Sequence, residues 1–291
     1  MLLGEEATGE DVARLNAVYG FDQPLPTQYF RWATRAIKGD LGVSIRQTIP
    51  VNTLIFERLG ATLELAIVSV LIAISLGIPI GIFAATRRGS LWDYLSMIVS
   101  LIGVSMPGFW LGLMLLSYVA LKVDWLPMFG RDASVLNGLW VLVTQFRADV
   151  LLNALRYVLL PATALGVSMM AIIARLTRSS LLEVLGKDYI RTAQAKGLKH
   201  RVVVIKHGLR NALLPVITIV GIQFGSMLGG AVVTETVFAW PGVGRLVVNA
   251  ISQRDFPIVQ GGVLMMAIIF TFVNLLVDIS YALVNPRIRY D

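Results

Sequence analysis

Five long apolar stretches decide what this chain can become: residues 61–85, 95–121, 158–174, 215–233 and 261–283. The hydrocarbon layer of a bilayer is about 30 Å thick and takes about 20 helical residues to cross. No water pairs with the backbone inside that layer. A spanning segment must therefore satisfy its own N–H and C=O groups, as a helix does. The chain is 56% hydrophobic and 15% charged over 291 residues, too little charge to coat a soluble domain of that size. The fold class is all-α, a polytopic membrane helix bundle. Pro79 and Pro107 predict kinks in the first two spans, and Pro161 near the start of the short third leaves its ends open. Gly77 and Gly81, and again Gly221, Gly225 and Gly229, recur at a four-residue spacing that lets helices approach closely.

Basic residues between the spans set the orientation. Residues 175–210 hold nine of them against two acids, Glu183 and Asp188. Arg87 and Arg88 mark the first hairpin turn, and Arg287 and Arg289 follow the last span. On the other side, residues 122–157 carry four basic and three acidic groups, and residues 234–258 carry two of each. The positive-inside rule places the 175–210 loop and the C-terminus in the cytoplasm, and residues 1–60 outside. The net charge of +7 then reports loops beside membrane lipid, with no nucleic acid implied.

Residues 1–60 carry seven acids and six basic residues and show no signal-peptide pattern. A polar tail of that length crosses a membrane poorly unaided, so a further span is expected before Met1, making six. The alternative is a chain with its N-terminus genuinely outside. Within the tail, Thr8 and Asp11 have capping-box spacing and Gly20 stops a first helix. Pro24 and Pro26 form a break, a second helix runs to about Lys38, and Pro50 opens a third at its first turn. Three regions result: an extracytoplasmic helical region 1–60, a transmembrane domain 61–286, and a cytoplasmic tail 287–291.

Much chemistry has no residues to carry it. With no cysteine there are no disulfides, Cys-based metal sites or thiol nucleophiles. No Gly-x-x-x-x-Gly-Lys-Ser/Thr sequence occurs, so ATP is not bound by a P-loop of this chain. His200 and His207 sit seven apart in the basic loop without acidic neighbours at ligand spacing. The chain reads as a conduit driven by an ion gradient or by another subunit.

An ion gradient has one candidate group, Asp278, because an intramembrane carboxylate is a functional candidate by default. Thr271, Asn274, Asp278, Tyr281 and Asn285 fall on one helical face. That face lines a path or carries protons; in the plainer reading Asp278 pairs with a loop arginine and only locks the bundle. Ser105 and Gln223 are the other polar groups in spans that could line a path.

The other energy source is suggested by "DYIRTAQAKGLKHR", residues 188–201. Asp188 suits an N-cap and Gly197 a C-terminal stop for a helix of about nine residues. Tyr189, Ile190, Ala193 and Lys196 include an apolar set at helical spacing, while Arg191, Gln194 and Lys196 keep the helix wet. A second helix runs from about His200 to Leu214, and Pro215 opens the fourth span. A helix this short is marginal in water and needs something to dock on, its own bundle or a cytoplasmic partner.

This segment resembles the cytoplasmic coupling motif of type I ABC importer permeases: Glu-Ala-Ala, three residues, Gly, nine residues, Ile-x-Leu-Pro. Aligned on Gly197, only Ala193, Gly197 and Leu209 match; Arg191 and Thr192 take the Glu-Ala positions, and His207 and Arg210 those of Ile and Pro. The departures are similar to those of the first permease subunit in the peptide and nickel branch, with its "DYIRTAxAKGL" followed by "HxLRNALLP". "YGFDQPLPTQY", "RLGATLELA", "MPGFWLGL", "WLPMFG", "TETVFAWPGVGRL" and "LVNPRIRY" extend the resemblance along nearly the whole chain.

The resemblance implies a six-span permease in a bacterial plasma membrane. It implies a second permease, two ATPase subunits that carry ATP and Mg, and an extracytoplasmic solute-binding protein. This chain itself would hold no cofactor and no catalytic group. Asp188, Tyr189, Arg191, Thr192, Ala193, Lys196, Gly197 and Leu209 would form the ATPase-coupling site. The implied cargo is a di- or oligopeptide; nickel or another small solute is the alternative within the branch, and a proton-coupled carrier using Asp278 is the alternative outside it.

Overall fold

Four of the five apolar stretches become helices longer than their runs of oil, and the second breaks in two, in a computed structural model that describes Gly9 and residues 22–284. The Thr8–Asp11 capping box, the stop at Gly20, Asn285 and the tail arginines lie outside the described residues, as do the side chains of Asp278 and Tyr281. Helix α1, Leu25–Ile37, follows Pro24 at its N-cap and carries Pro26 in its first turn, where a missing N–H costs nothing. Helix α2, Val51–Thr86, starts directly after Pro50, which is its N-cap. The third tail helix and the first span are thus one rod of 36 residues, and the 60/61 boundary falls inside it.

The two prolines expected to kink behave differently. Pro79 stays within the unbroken α2. It is flanked by Gly77 and Gly81, both buried where α2 presses on helix α6, Asp149–Leu185. A Cβ on Gly77 would lie 2.8 Å from the Met170 carbonyl oxygen, and one on Gly81 2.6 Å from that of Ala174. On both sides of the proline α2 packs closely on α6, and the helix runs through Pro79 without a break. At Pro107 the second span breaks into α3, Leu91–Ser105, and α4, Gly108–Tyr118 with a 3-10 turn to Lys122. The two limbs meet at 106°. Met106 before the proline takes an extended conformation, as the ring demands, and exposed Ser105 and Phe109 give the break no clamp.

Helix α5, Val135–Gln145, is capped by the Ser134 hydroxyl, which accepts from the Asn137 N–H at 3.0 Å. Helix α6 then runs 37 residues with Pro161 inside it, far beyond 158–174. Helix α7 is Asp188–Ala195. The next segment starts as an α-turn at His200–Val202, widens to a π-helix at Val203–Leu209, and continues as α8, Arg210–Val237. Pro215 sits inside α8, so the expected boundary between loop helix and fourth span does not exist. Helices α9, Val243–Gln253, and α10, Phe256–Val284, complete the fold.

Helix α6 is the centre of the bundle, touching α2, α3, α4, α5 and α8. It runs parallel to α2: Gly166 meets Ser69, Gly77 meets Met170 and Ile173, and Gly81 meets Ala174 and Thr177. Backbone proximity of this kind replaces water expulsion as the cohesive force in lipid. The glycine reading holds at Gly77, Gly81 and Gly225 but fails at Gly229, which has no atom within 4 Å of its would-be Cβ. Ile67, Leu71, Ile98 and Ile268 stand exposed on the outer faces, as lipid contact requires.

Candidate functional site

Helix α7 sits at the end of the bundle where α2 finishes and α6 runs out. The Glu183 and Val184 carbonyls accept from Gly186 and Lys187 in the turn that ends α6. Lys187 is extended and is the N-cap. Asp188 is therefore already helical and sits in the first turn, a correction to its expected capping role. There its charge complements the helix dipole, and it pairs loosely with Arg191 at 3.6 Å, with side chains 96% and 75% exposed. Gly197 ends the helix as expected, in the left-handed region at φ 73°, its N–H donating to the Gln194 carbonyl at 2.9 Å.

The apolar face of α7 is docked on its own chain. Ile190 and Ala193 are buried against Val203 of the π-helix, with Leu185 beside them. Tyr189 is partly exposed, but its hydroxyl accepts from Asn211 Nδ2 at 2.8 Å and donates to the His207 carbonyl at 3.4 Å. Leu209, half-buried, closes the π-helical stretch. Gly208 admits Leu181 and Leu185 of α6 to 3.1 and 3.3 Å of its would-be Cβ. The α6 end, α7 and the base of α8 are thereby one packed unit. Arg191, Thr192, Gln194, Lys196 and Gly197 remain exposed on its far side. This surface offers charge and shape, with no nucleophile or buried base.

The suggested path residues do not share one wall. The Ser105 hydroxyl donates to the Leu101 carbonyl of its own helix at 2.9 Å, beside the crevice at the α3–α4 break. Gln223 and Asn274 are half-buried on α8 and α10, which pack together. Asn274 lies against Gly225, its Oδ1 2.6 Å from where a Cβ would stand. That makes it a packing partner of α8. Among the described residues no group of three His, Asp or Glu side chains could hold a metal.

Sequence reasoning missed a second cluster, at the opposite end. Glu235 is fully buried, its Oε1 accepting from the Thr62 hydroxyl at 2.7 Å and its Oε2 from the Arg245 N–H at 2.9 Å. Thr62 in turn accepts from the Val243 N–H at 2.9 Å. Glu235 and Thr62 together cap the start of α9 from two other helices. Buried Trp240 donates its indole N–H to the Ala61 carbonyl at 2.8 Å, and Arg131 stands 5.7 Å from its ring while pairing with Glu64. Buried Asp255 accepts from the Ser44 hydroxyl at 2.5 Å and from the Arg46 N–H at 3.2 Å. Glycine is required here: a Cβ on Gly242 would fall on the Glu235 carboxylate, and one on Gly244 would lie 2.6 Å from Val232 Cα. The signal was present, since a carboxylate in an apolar run is a functional candidate. Glu235 escaped notice because it was counted in the loop at 234–258, whereas α8 extends to Val237.

The structure is a helix bundle with apolar outer faces and one short, exposed helix docked on the ends of two long ones. The chain belongs to the family of binding-protein-dependent transport system inner membrane components, whose family model matches residues 77–290. It is a multi-pass inner-membrane permease of the type I ABC importer class. It is 46% identical to the dipeptide transport system permease protein DppB of Alkalihalophilus pseudofirmus, over 99% of this chain and 89% of that one. The DppB of Escherichia coli K12 is 45% identical over 96% and 85%, and the glutathione transport system permease protein GsiC of Salmonella paratyphi A 40% over 100% and 88%. The fold is shared with the inward-facing MetNI methionine ABC transporter at a TM-score of 0.60 and 18% identity, over 80% of this chain and 96% of that one.

Proposed function

We propose that this chain is the permease subunit of an ATP-driven importer of short peptides, and that α7 is where an ATPase subunit pushes on it. The observation that carries the reading is the mounting of α7. One face is locked by Ile190 and Ala193 into the junction of α6 and α8, and the other carries exposed Arg191 and Lys196 ending on a left-handed glycine. A short helix fixed this way moves as one body with two spans. Asp188, Tyr189, Arg191, Thr192, Ala193, Lys196, Gly197 and Leu209 set its shape and fit. ATP and Mg belong to the ATPase partners, and a second permease and a solute-binding protein complete the complex. The DppB and GsiC relatives support di- or oligopeptide cargo. The basic 175–210 loop faces the cytoplasm and α1 the outside.

Two experiments test this. Single cysteines at Gln28 and Lys199 of the Cys-free chain should react with an impermeant maleimide from opposite sides of the membrane; reaction of both from one side overturns the orientation. Gly197→Val has open space around it, so its effect is conformational: a β-branched residue is strained at positive φ. Gly197→Val and Arg191→Glu should insert normally and capture little ATPase subunit on co-purification. Capture at the wild-type level by both variants would remove α7 from the ATPase interface.

A further inference from the structure

Asp93 and Arg178 form a bidentate pair that the coupling site does not use. Arg178 Nε stands 2.5 Å from Asp93 Oδ1, and Nη2 stands 2.7 Å from Oδ2. The Gly89 N–H donates to the same Oδ2 at 3.0 Å. The side chains are 3% and 22% exposed. A planar guanidinium on a carboxylate fixes direction as well as distance, which a lysine would not.

What surrounds the pair gives it a purpose. Helix α3 buries only Asp93, Ser100 and Gly103. The Ser100 hydroxyl bonds back to the Ser96 carbonyl of its own helix at 2.8 Å. Gly103 rests on Ala171 and Val167 of α6, with 3.2 and 3.4 Å left for a Cβ. That contact is smooth: it resists separation and permits sliding. Leu91, Trp92, Tyr94 and Leu95 are all exposed. The fork is thus the one directional bond described between α3 and α6. Arg178 lies about two helical turns before α6 ends at Leu185, where Leu185 packs against α7.

We propose that Arg178 and Asp93 are positioning residues for transport. They make the broken α3–α4 span follow the end of α6 when α7 moves, so that displacement at α7 reaches the break at Met106–Pro107. The inference rests on the reading of α7 as the ATPase contact. Without the fork, α6 would slide past α3, and hydrolysis would proceed with little movement of the second span.

The test uses the full complex in proteoliposomes with its ATPase and binding protein, with radiolabelled dialanine as cargo. Asp93→Asn and Arg178→Lys should assemble and hydrolyse ATP, while dialanine carried per ATP falls about tenfold, a typical coupling magnitude. The exchanged pair Asp93→Arg with Arg178→Asp should recover most of that ratio. A second readout needs no cargo: nitroxides at Tyr94 and Gln194, both exposed, should give a narrow distance distribution in the parent and a broadened one in Asp93→Asn. An unchanged ratio and an unchanged distribution in Asp93→Asn would overturn the proposal. So would uptake and hydrolysis falling together with assembled complex, since that marks a merely structural pair. Uncoupling in Asp93→Asn beside normal ATPase capture by Gly197→Val would instead sink the α7 reading and leave the fork.

Discussion

The two ends of the bundle are built on opposite principles. At the end holding Glu235, buried polar groups reach across the sequence: Thr62 to Glu235, Trp240 to Ala61, Ser44 to Asp255. Around α7 itself the ion pairs are local and exposed, such as Lys187 with Glu183 and Arg191 with Asp188, and cohesion comes from Ile190, Ala193 and Val203. The Asp93–Arg178 fork, about two turns back along α6, is the buried exception. Buried networks in a low-dielectric setting resist displacement because every lost bond leaves an unpaired group. Apolar docking with wet local bonds tolerates small rigid-body shifts. On the proposed reading, the α7 end takes the push and the Glu235 end stays assembled.

The comparison predicts graded damage, and the largest falls at the buried end. Gly242→Val drives a side chain into the Glu235 carboxylate and should lower stability by about 3 kcal/mol, seen as an early thermal transition of the purified complex. Trp240→Phe removes the indole donor to Ala61 and should cost about 1–2 kcal/mol in the same assay. Gly197→Val should cost about 1 kcal/mol or less through local strain, yet it is the variant that loses ATPase capture. If Gly197→Val melted as early as Gly242→Val, the contrast between the two ends would be wrong.

The smallest effect concerns Asp40, which joins α1 to the start of α2. The Arg35 guanidinium bonded to it, and then the Gly42 N–H, hold its carboxyl below the usual range. A depressed carboxylate contributes stability that is present above its unfolded value and lost as pH falls through its folded value. Both partners are about half exposed, so Arg35→Ala should cost at most about 0.5 kcal/mol near neutral pH. The cost should vanish under acid, and added salt should reduce it. An Arg35→Ala deficit that persisted unchanged in acid would show that the arginine acts through packing.

The spans were legible because hydropathy alone compels them. Their ends were not. Residues 51–60 include Asn52, Glu57 and Arg58, which read as a separate tail helix opened by Pro50, yet they continue without a break into the first span. Pro79 and Pro107 look alike in sequence, yet the helix runs unbroken through the one flanked by Gly77 and Gly81, which press on α6, and breaks at the other. The stop at Gly197 and the burial of Ile190 and Ala193 followed from local chemistry. The π-helix did not, because it arises where Gly208 yields to Leu181 and Leu185 from another helix. Glu235 was hidden because the end of α8 was placed too early, so it was counted in a loop.

The central claim is that force enters this permease from an ATPase at α7. The most direct measurement is dialanine uptake into proteoliposomes holding the full complex, with ATP and the proton gradient supplied separately. Uptake should require ATP and the ATPase subunits, persist when the gradient is collapsed, and disappear in Gly197→Val while Asp278→Asn retains most of it. Uptake driven by the gradient alone, without ATPase subunits and abolished by Asp278→Asn, would contradict the account.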